Sequence, residues 1–218
     1  MPYSREHKVR TRERVLAGAL RLFSERGFAQ VTIDEVMAHA GLTRGAFYAH
    51  FTSKEHLYAE AIDHGIRTSA IAALAGGPKG LKTLQNIVDS YLSRGHVDGK
   101  MAPCPLAFFS TDVGVREHRV RSTYTTAFLS LVGAIGSHAS GPKTEERTLA
   151  IAVLMVGGVA VSTAVTASIL KDNILSGCRR AIMDLVATTQ TKASSQSAAR
   201  LSPASRKRRV RTAYRRLR

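Results

Sequence analysis

The 218-residue chain carries 32 Lys+Arg against 16 Asp+Glu, a formal charge of +16, with 44% hydrophobic residues, no Trp and two Cys. Ordinary apolar content and a mean hydropathy of −0.08 exclude a disordered chain and a polytopic membrane protein, and a pI near 10.6 points to a polyanionic partner. The two cysteines, Cys104 and Cys178, are too far apart for a CxxC metal clip, and no apolar stretch follows the first charges, so a reducing, cytoplasmic compartment without structural metal is expected.

The charge is uneven. Residues 1–62 hold 9 basic and 7 acidic side chains, 63–187 hold 13 and 9, and 188–218 hold 10 and 0. The Ser-rich segment from Thr188, with Arg206-Lys207-Arg208-Arg209, reads as a disordered basic tail able to neutralise DNA phosphates without choosing sequence. The specific face must therefore be found in motifs rather than in net charge.

From Arg10 to Arg26 the residues Val15, Leu16, Ala19, Leu20, Leu22 and Phe23 share one helical face, and Gly27 supplies a stop. Thr32-Ile33-Asp34-Glu35 is a T-x-x-E capping box opening a short helix through Val36, Met37 and Ala40, which ends at Gly41. Thr43 is placed to cap a third helix, Arg44 to His50, with Phe47 turned inward, and Thr52 or Ser53 caps a fourth. Two short helices about a glycine turn make a helix-turn-helix, whose second member lies in a DNA major groove.

Further on, Gly76-Gly77-Pro78 breaks the chain. Leu81, Leu84, Val88, Tyr91 and Leu92 form an apolar stripe, and Pro103-Cys104-Pro105 marks another break. Val120, Tyr124, Phe128, Leu131 and Ile135 predict a long helix stopping near Gly141-Pro142. Residues 148–170 hold no charge, long enough for a bilayer span; the absence of an aromatic belt and the small residues around Gly157-Gly158 favour a closely packed interface helix instead. No strand pattern of useful length appears, so the fold class is all-α, divided into a helix-turn-helix domain (1–62), a helical domain (63–187) and the tail (188–218).

The residues Gly27-Phe28, Thr32-Ile33-Asp34-Glu35-Val36, Ala40-Gly41-Leu42-Thr43-Arg44-Gly45, Phe47-Tyr48, His50-Phe51 and Ser53-Lys54-Glu55 resemble the tetracycline-repressor (TetR) family of bacterial regulators. The resemblance covers residues 10–62 and implies a helical C-terminal domain that binds an effector and pairs in a homodimer. Ala46 and Ala49 stand where many relatives carry larger or hydrogen-bonding side chains, which implies fewer base contacts.

Arg44 is the candidate for reading a guanine edge, because a guanidinium near the start of a recognition helix reaches O6 and N7 together. Thr32, Thr43, Tyr48, His50 and Lys54 suit phosphate contacts, and Gly45 permits close approach to the backbone. Tyr91, Phe108, Phe109, Tyr124, Phe128 and Met155 are candidates to line a largely apolar effector cavity, with His96 and Cys104 as polar fixtures; an inert Cys104 is favoured over a sensor thiol. No GxSxG, P-loop, HExxH or paired-carboxylate motif is present, so neither catalysis nor a cofactor is expected. The expected function is a repressor released from a palindromic operator by a small, largely apolar effector. A membrane-tethered DNA-binding protein anchored through 148–170 and an effector-independent DNA-binding protein are the alternatives.

Overall fold

The structure is a computed structural model describing residues 5–69, 72, 78–138 and 144–200, with the backbone alone at 144 and 188–200. All regular structure among the described residues is helical. The amino-terminal unit comprises α1 (Arg5–Gln30), α2 (Ile33–His39), a 3-10 helix (Arg44–Ala49) and α3 (Lys54–Thr68). The second comprises α4 (Leu81–Tyr91), α5 (Arg94–Val97), α6 (Pro105–Phe108), α7 (Ser110–Val113), α8 (His118–Gly136), α9 (Thr144–Ala164) and α10 (Ser168–Arg200).

In the first unit the apolar positions of α1 do what their spacing requires: Val15, Leu16, Ala19, Leu20 and Phe23 are buried against Leu57, Tyr58 and Ile62 of α3. Gly27 breaks α1 at φ 77, a conformation costly for a side chain with a Cβ. Arg12 binds Glu60 at 2.9 Å and lies over the Phe51 ring, tying α1 to α3 and to the end of the helix-turn-helix. The 62/63 boundary drawn from sequence falls inside α3, which packs on α1 and also on α8. Both units therefore share this helix.

The second unit buries Leu84, Val88, Tyr91 and Leu92 of α4 as expected, but Leu81 lies at the helix start and is exposed. Pro105 occupies the first turn of α6, where its missing N–H costs nothing. Helix α8 buries Val120, Leu131 and Ile135 and stops at Gly136, before the expected Gly141-Pro142, which lies outside the described residues. The Gly76-Gly77 part of the earlier break lies outside them too.

Two expectations change near the C-terminus. The uncharged run 148–170 is not one helix: α9 ends at Ala164 and α10 starts at Ser168. Glu145–Ala164 is long and apolar enough to cross a membrane, yet Ile151, Ala152, Met155 and Val159 are buried in the core. The tail expected to be disordered from Thr188 is helical to Arg200, because no Gly or Pro interrupts the chain between Gly177 and Pro203 and α10 simply continues. Residues 201–218, including Arg206-Lys207-Arg208-Arg209, lie outside the described residues.

The glycine pair in α9 is unequal. A Cβ on Gly158 would stand 2.8 Å from Leu92 Cδ2 and 3.1 Å from Cys178 Sγ, whereas one on Gly157 would meet nothing within 4 Å. Gly158 is thus what lets α4 and α10 approach α9. Gly157→Ala is expected to leave stability unchanged or raise it by about 0.5–1 kcal/mol through helix propensity. Gly158→Ala overpacks a core in which Leu92 is fully buried, at a cost of about 1–3 kcal/mol. Urea unfolding of both variants beside wild type measures the difference.

Candidate nucleic-acid interface and inter-domain cleft

The helix-turn-helix is held by local bonds that the sequence spells out. The Thr32 hydroxyl accepts from the Glu35 N–H at 3.2 Å, and the Glu35 carboxylate accepts from the Thr32 N–H at 2.7 Å and the Thr32 hydroxyl at 2.9 Å. Arg26 reaches the other Glu35 oxygen at 2.8 Å, so the carboxylate clamps the end of α1 to the start of α2. At the far end Gly41 takes φ 65. Its N–H donates to Ala38 O and the Leu42 N–H to Met37 O, both at 2.9 Å, a Schellman close that turns the chain toward the recognition element.

That element is a 3-10 helix, not the α-helix expected, and Thr43 sits at its N-cap without a side-chain cap bond. The Thr43 hydroxyl is therefore left exposed for another partner. Phe47 is fully buried and fixes the facing: Thr43, Arg44, Gly45, Tyr48 and Ala49 are exposed on the outside. Tyr48 is 63% exposed, resting edge-on against Phe47, so it is no packing aromatic. A Cβ on Gly45 would meet only Thr43 Oγ1, leaving open space over this edge.

Arg44 Nη1 lies 2.7 Å from Asp34 Oδ2 of α2. This carboxylate, with the Tyr48 hydroxyl beside it, raises the arginine pKa further above its usual value. His50 is half-buried, and its pKa is lowered by desolvation and by the charges of Lys8 and Arg12, so at neutral pH it is an uncharged donor. Lys54 stands apart from this edge: its ammonium lies 4.2 Å from the Phe28 ring centroid, and burial lowers its pKa.

Lys54 belongs to the joint between the two units. Arg116 covers Phe28 at 4.4 Å and pairs with Asp112 at 2.6 Å. Asp112 also accepts the Tyr58 hydroxyl at 2.9 Å, and Tyr58, fully buried, packs on Phe23, Phe28 and Phe109. Burial and this acceptor push the phenol pKa far up, so it remains a donor throughout the physiological range.

The expected effector residues do not gather around one cavity. Tyr91, Cys104, Phe109 and Met155 are fully packed core, and the Tyr91 hydroxyl donates to Cys104 Sγ at 3.2 Å. Burial raises the Cys104 pKa, which leaves an inert thiol. Tyr124 is partly buried and donates to the Leu106 carbonyl at 2.7 Å, and Phe128 is partly buried beside it on α8. His96 and Phe108 alone of the eight line a cleft of about 560 Å³, together with Leu20 of α1, His64 of α3, Met101 and Pro103. Sequence reasoning missed its amino-terminal wall because it assigned the effector wholly to residues after 62. The available signal was the polar set Arg21, Ser24 and Glu25, at helical spacing on one side of α1.

These features are those of a helix-turn-helix. The model of the bacterial regulatory proteins of the tetR family matches residues 15–61. An uncharacterized HTH-type transcriptional regulator of Mycobacterium tuberculosis, MT0206, is 33% identical over 112 residues, 50% of this chain and 57% of the relative. The HTH-type transcriptional repressor BepR of Brucella suis is 40% identical over 58 residues, 27% of this chain and 28% of BepR. The chain spans between a fifth and a little over half the length of the first curated relatives it matches. Among solved structures, a TetR transcriptional regulator from Legionella pneumophila superimposes with a TM-score of 0.68 at 18% identity, covering 85% of this chain and all of that one. The reduced form of E. coli NemR gives 0.65 at 18% identity, over 78% and 95%. Residues 15–61 thus match the tetR family's model, and the described helices share the fold of TetR-family regulators of known structure.

The Glu35 clamp makes a pH prediction. Its bonds from Thr32 and Arg26 lower its pKa from 4.5 to about 2 in the folded chain. A depressed carboxylate pKa stabilises the fold above the unfolded value and loses that contribution as pH falls from about 4.5 toward 2. Glu35→Gln is expected to be less stable than wild type at pH 6 and to show a shallower loss across that window, read from urea midpoints at each pH.

Proposed function

We propose that the protein is a homodimeric repressor that grips a palindromic DNA operator through Thr32, Thr43, Arg44, Gly45, Tyr48 and His50 of each subunit, and is released by a small, largely apolar effector. The observation that carries the DNA reading is the exposed edge of the recognition element, where Arg44 is held ready by Asp34 while Phe47 anchors the element from below. A guanine edge or phosphate competes with Asp34 for the same guanidinium, so binding exchanges one partner for another and returns the half-exposed Asp34 carboxylate to water. Tyr48 and Thr43 supply hydroxyls to the phosphates, which fix register without reading sequence. Lys54 is not among them, since its ammonium is engaged on Phe28 in the joint between the units.

Release follows from the shared helix. Helix α3 begins directly after the helix-turn-helix and packs on α8, so a ligand favouring one placement of α3 against the second unit also favours one placement of the recognition element. Its effect on operator affinity equals the ratio of its affinities for the two placements.

The dimer reading rests on apolar side chains that the single chain leaves in water. Val153 and Val161 of α9 are 59% and 51% exposed, and Ile169 of α10 is 76% exposed. A two-fold pairing of α9 and α10 covers them and sets two recognition elements about 34–36 Å apart or a multiple of that. Val153→Asp or Val161→Asp is expected to give monomers or aggregates by sedimentation velocity. A wild-type chain that stays monomeric at micromolar concentration rejects the pairing.

The DNA reading is tested with an operator selected from a random DNA pool. Arg44→Ala is expected to lower affinity on the order of tenfold to a hundredfold and to relax preference at one position per half-site. Tyr48→Phe should weaken all sequences alike. An unchanged selected site and affinity for Arg44→Ala removes Arg44 from the base-reading role.

A further inference from the structure

The cleft between the two units holds an unusual polar atom. His96 is 97% buried, and its Nδ1 is 2.8 Å from the Tyr91 carbonyl. A carbonyl only accepts, so Nδ1 carries the ring proton and Nε2 presents a lone pair. Desolvation lowers the pKa of this imidazole, which keeps it in that neutral tautomer. Nε2 has no hydrogen-bond partner among the described residues. His96 lines the cleft whereas Tyr91 does not, and with Nδ1 engaged on the Tyr91 carbonyl the buried Nε2 is the polar atom of the ring left for an occupant.

The surroundings define what would meet that atom. Leu20, Met101, Pro103 and Phe108 make apolar walls, with the Phe108 ring centroid 6.2 Å from the imidazole. At the margin Arg21 and Glu25 neutralise each other at 2.9 Å, and burial lowers the pKa of His64, so no unbalanced charge awaits a charged ligand. Unlike a core cavity of the second unit, the cleft has α1 and α3 as one wall. An occupant therefore touches both units directly.

We propose that this cleft binds a neutral phenol-like molecule, an apolar aromatic body whose single hydroxyl donates to His96 Nε2. As the effector site this rests on the regulatory reading above; as a binding site it stands by itself.

The probes are 2-naphthol and 4-phenylphenol, with their methyl ethers 2-methoxynaphthalene and 4-methoxybiphenyl, which keep the ring body and lack the donor. They are titrated by fluorescence into the full-length protein without DNA, so the result does not depend on operator response. The phenols are expected to bind saturably and three- to tenfold more tightly than the ethers, the range of one net hydrogen bond. His96→Asn retains an N–H for the Tyr91 carbonyl and removes the Nε2 acceptor; it should bring the phenols to the affinity of the ethers and leave the ethers unchanged. Ala17 lies exposed on the α1 wall, so Ala17→Trp fills the cleft without touching the core and should abolish binding of both classes with unchanged circular dichroism and melting. No saturable phenol binding, equal affinity for phenols and ethers, or undiminished binding to Ala17→Trp each overturns the proposal. Bound phenol that leaves operator affinity unchanged supports the site and counts against the effector reading alone.

Discussion

The molecule depends on the bond from Tyr58 to Asp112. A phenol buried among Phe23, Phe28 and Phe109 must find an acceptor or forfeit the hydration of its hydroxyl, and the carboxylate that meets it belongs to the other unit. Arg116 compensates the Asp112 charge and stacks over Phe28, the ring that Lys54 also meets. One phenol, one carboxylate and two cations thus set the angle at which α3 meets the second unit. Gly65 on the same helix lets Pro105 come within about 3 Å of where a Cβ would stand, so the joint is tight along its length.

Because that joint absorbs Lys54 and Arg116, neither adds its charge to the exposed edge of the recognition element. Arg44 is a cation on its exposed rim that Asp34 keeps oriented, and the charges of Lys8 and Arg12 act on His50 nearby. His50 adds a neutral ring. Much of the formal +16 lies elsewhere, in residues beyond 187.

Helix α9 meets two demands at once. Ile151, Met155 and Val159 belong to the core, while Val153 and Val161 project from the opposite side. An uncharged helix is the form such a two-sided role takes, which is also why its composition resembles a membrane span. Gly158 then sets how close α4 and α10 come to it.

The sequence alone determined the elements whose bonds are local. The capping box at Thr32, the Schellman close at Gly41, the Ser53 cap and the inward Phe47 all act over a few residues, so their side-chain types identify them without knowledge of the fold. Only the tertiary structure decided the rest. Tyr91, Phe109 and Met155 have the same apolar chemistry whether they line a cavity or fill the core, and only packing assigns them to the core. The 3-10 form of Arg44–Ala49 and the capture of Lys54 by Phe28 also depend on neighbours distant in the chain. The cleft was hidden for the same reason: its walls come from α1, α3 and the 96–108 segment, and no local pattern records that residues so far apart in sequence share one space.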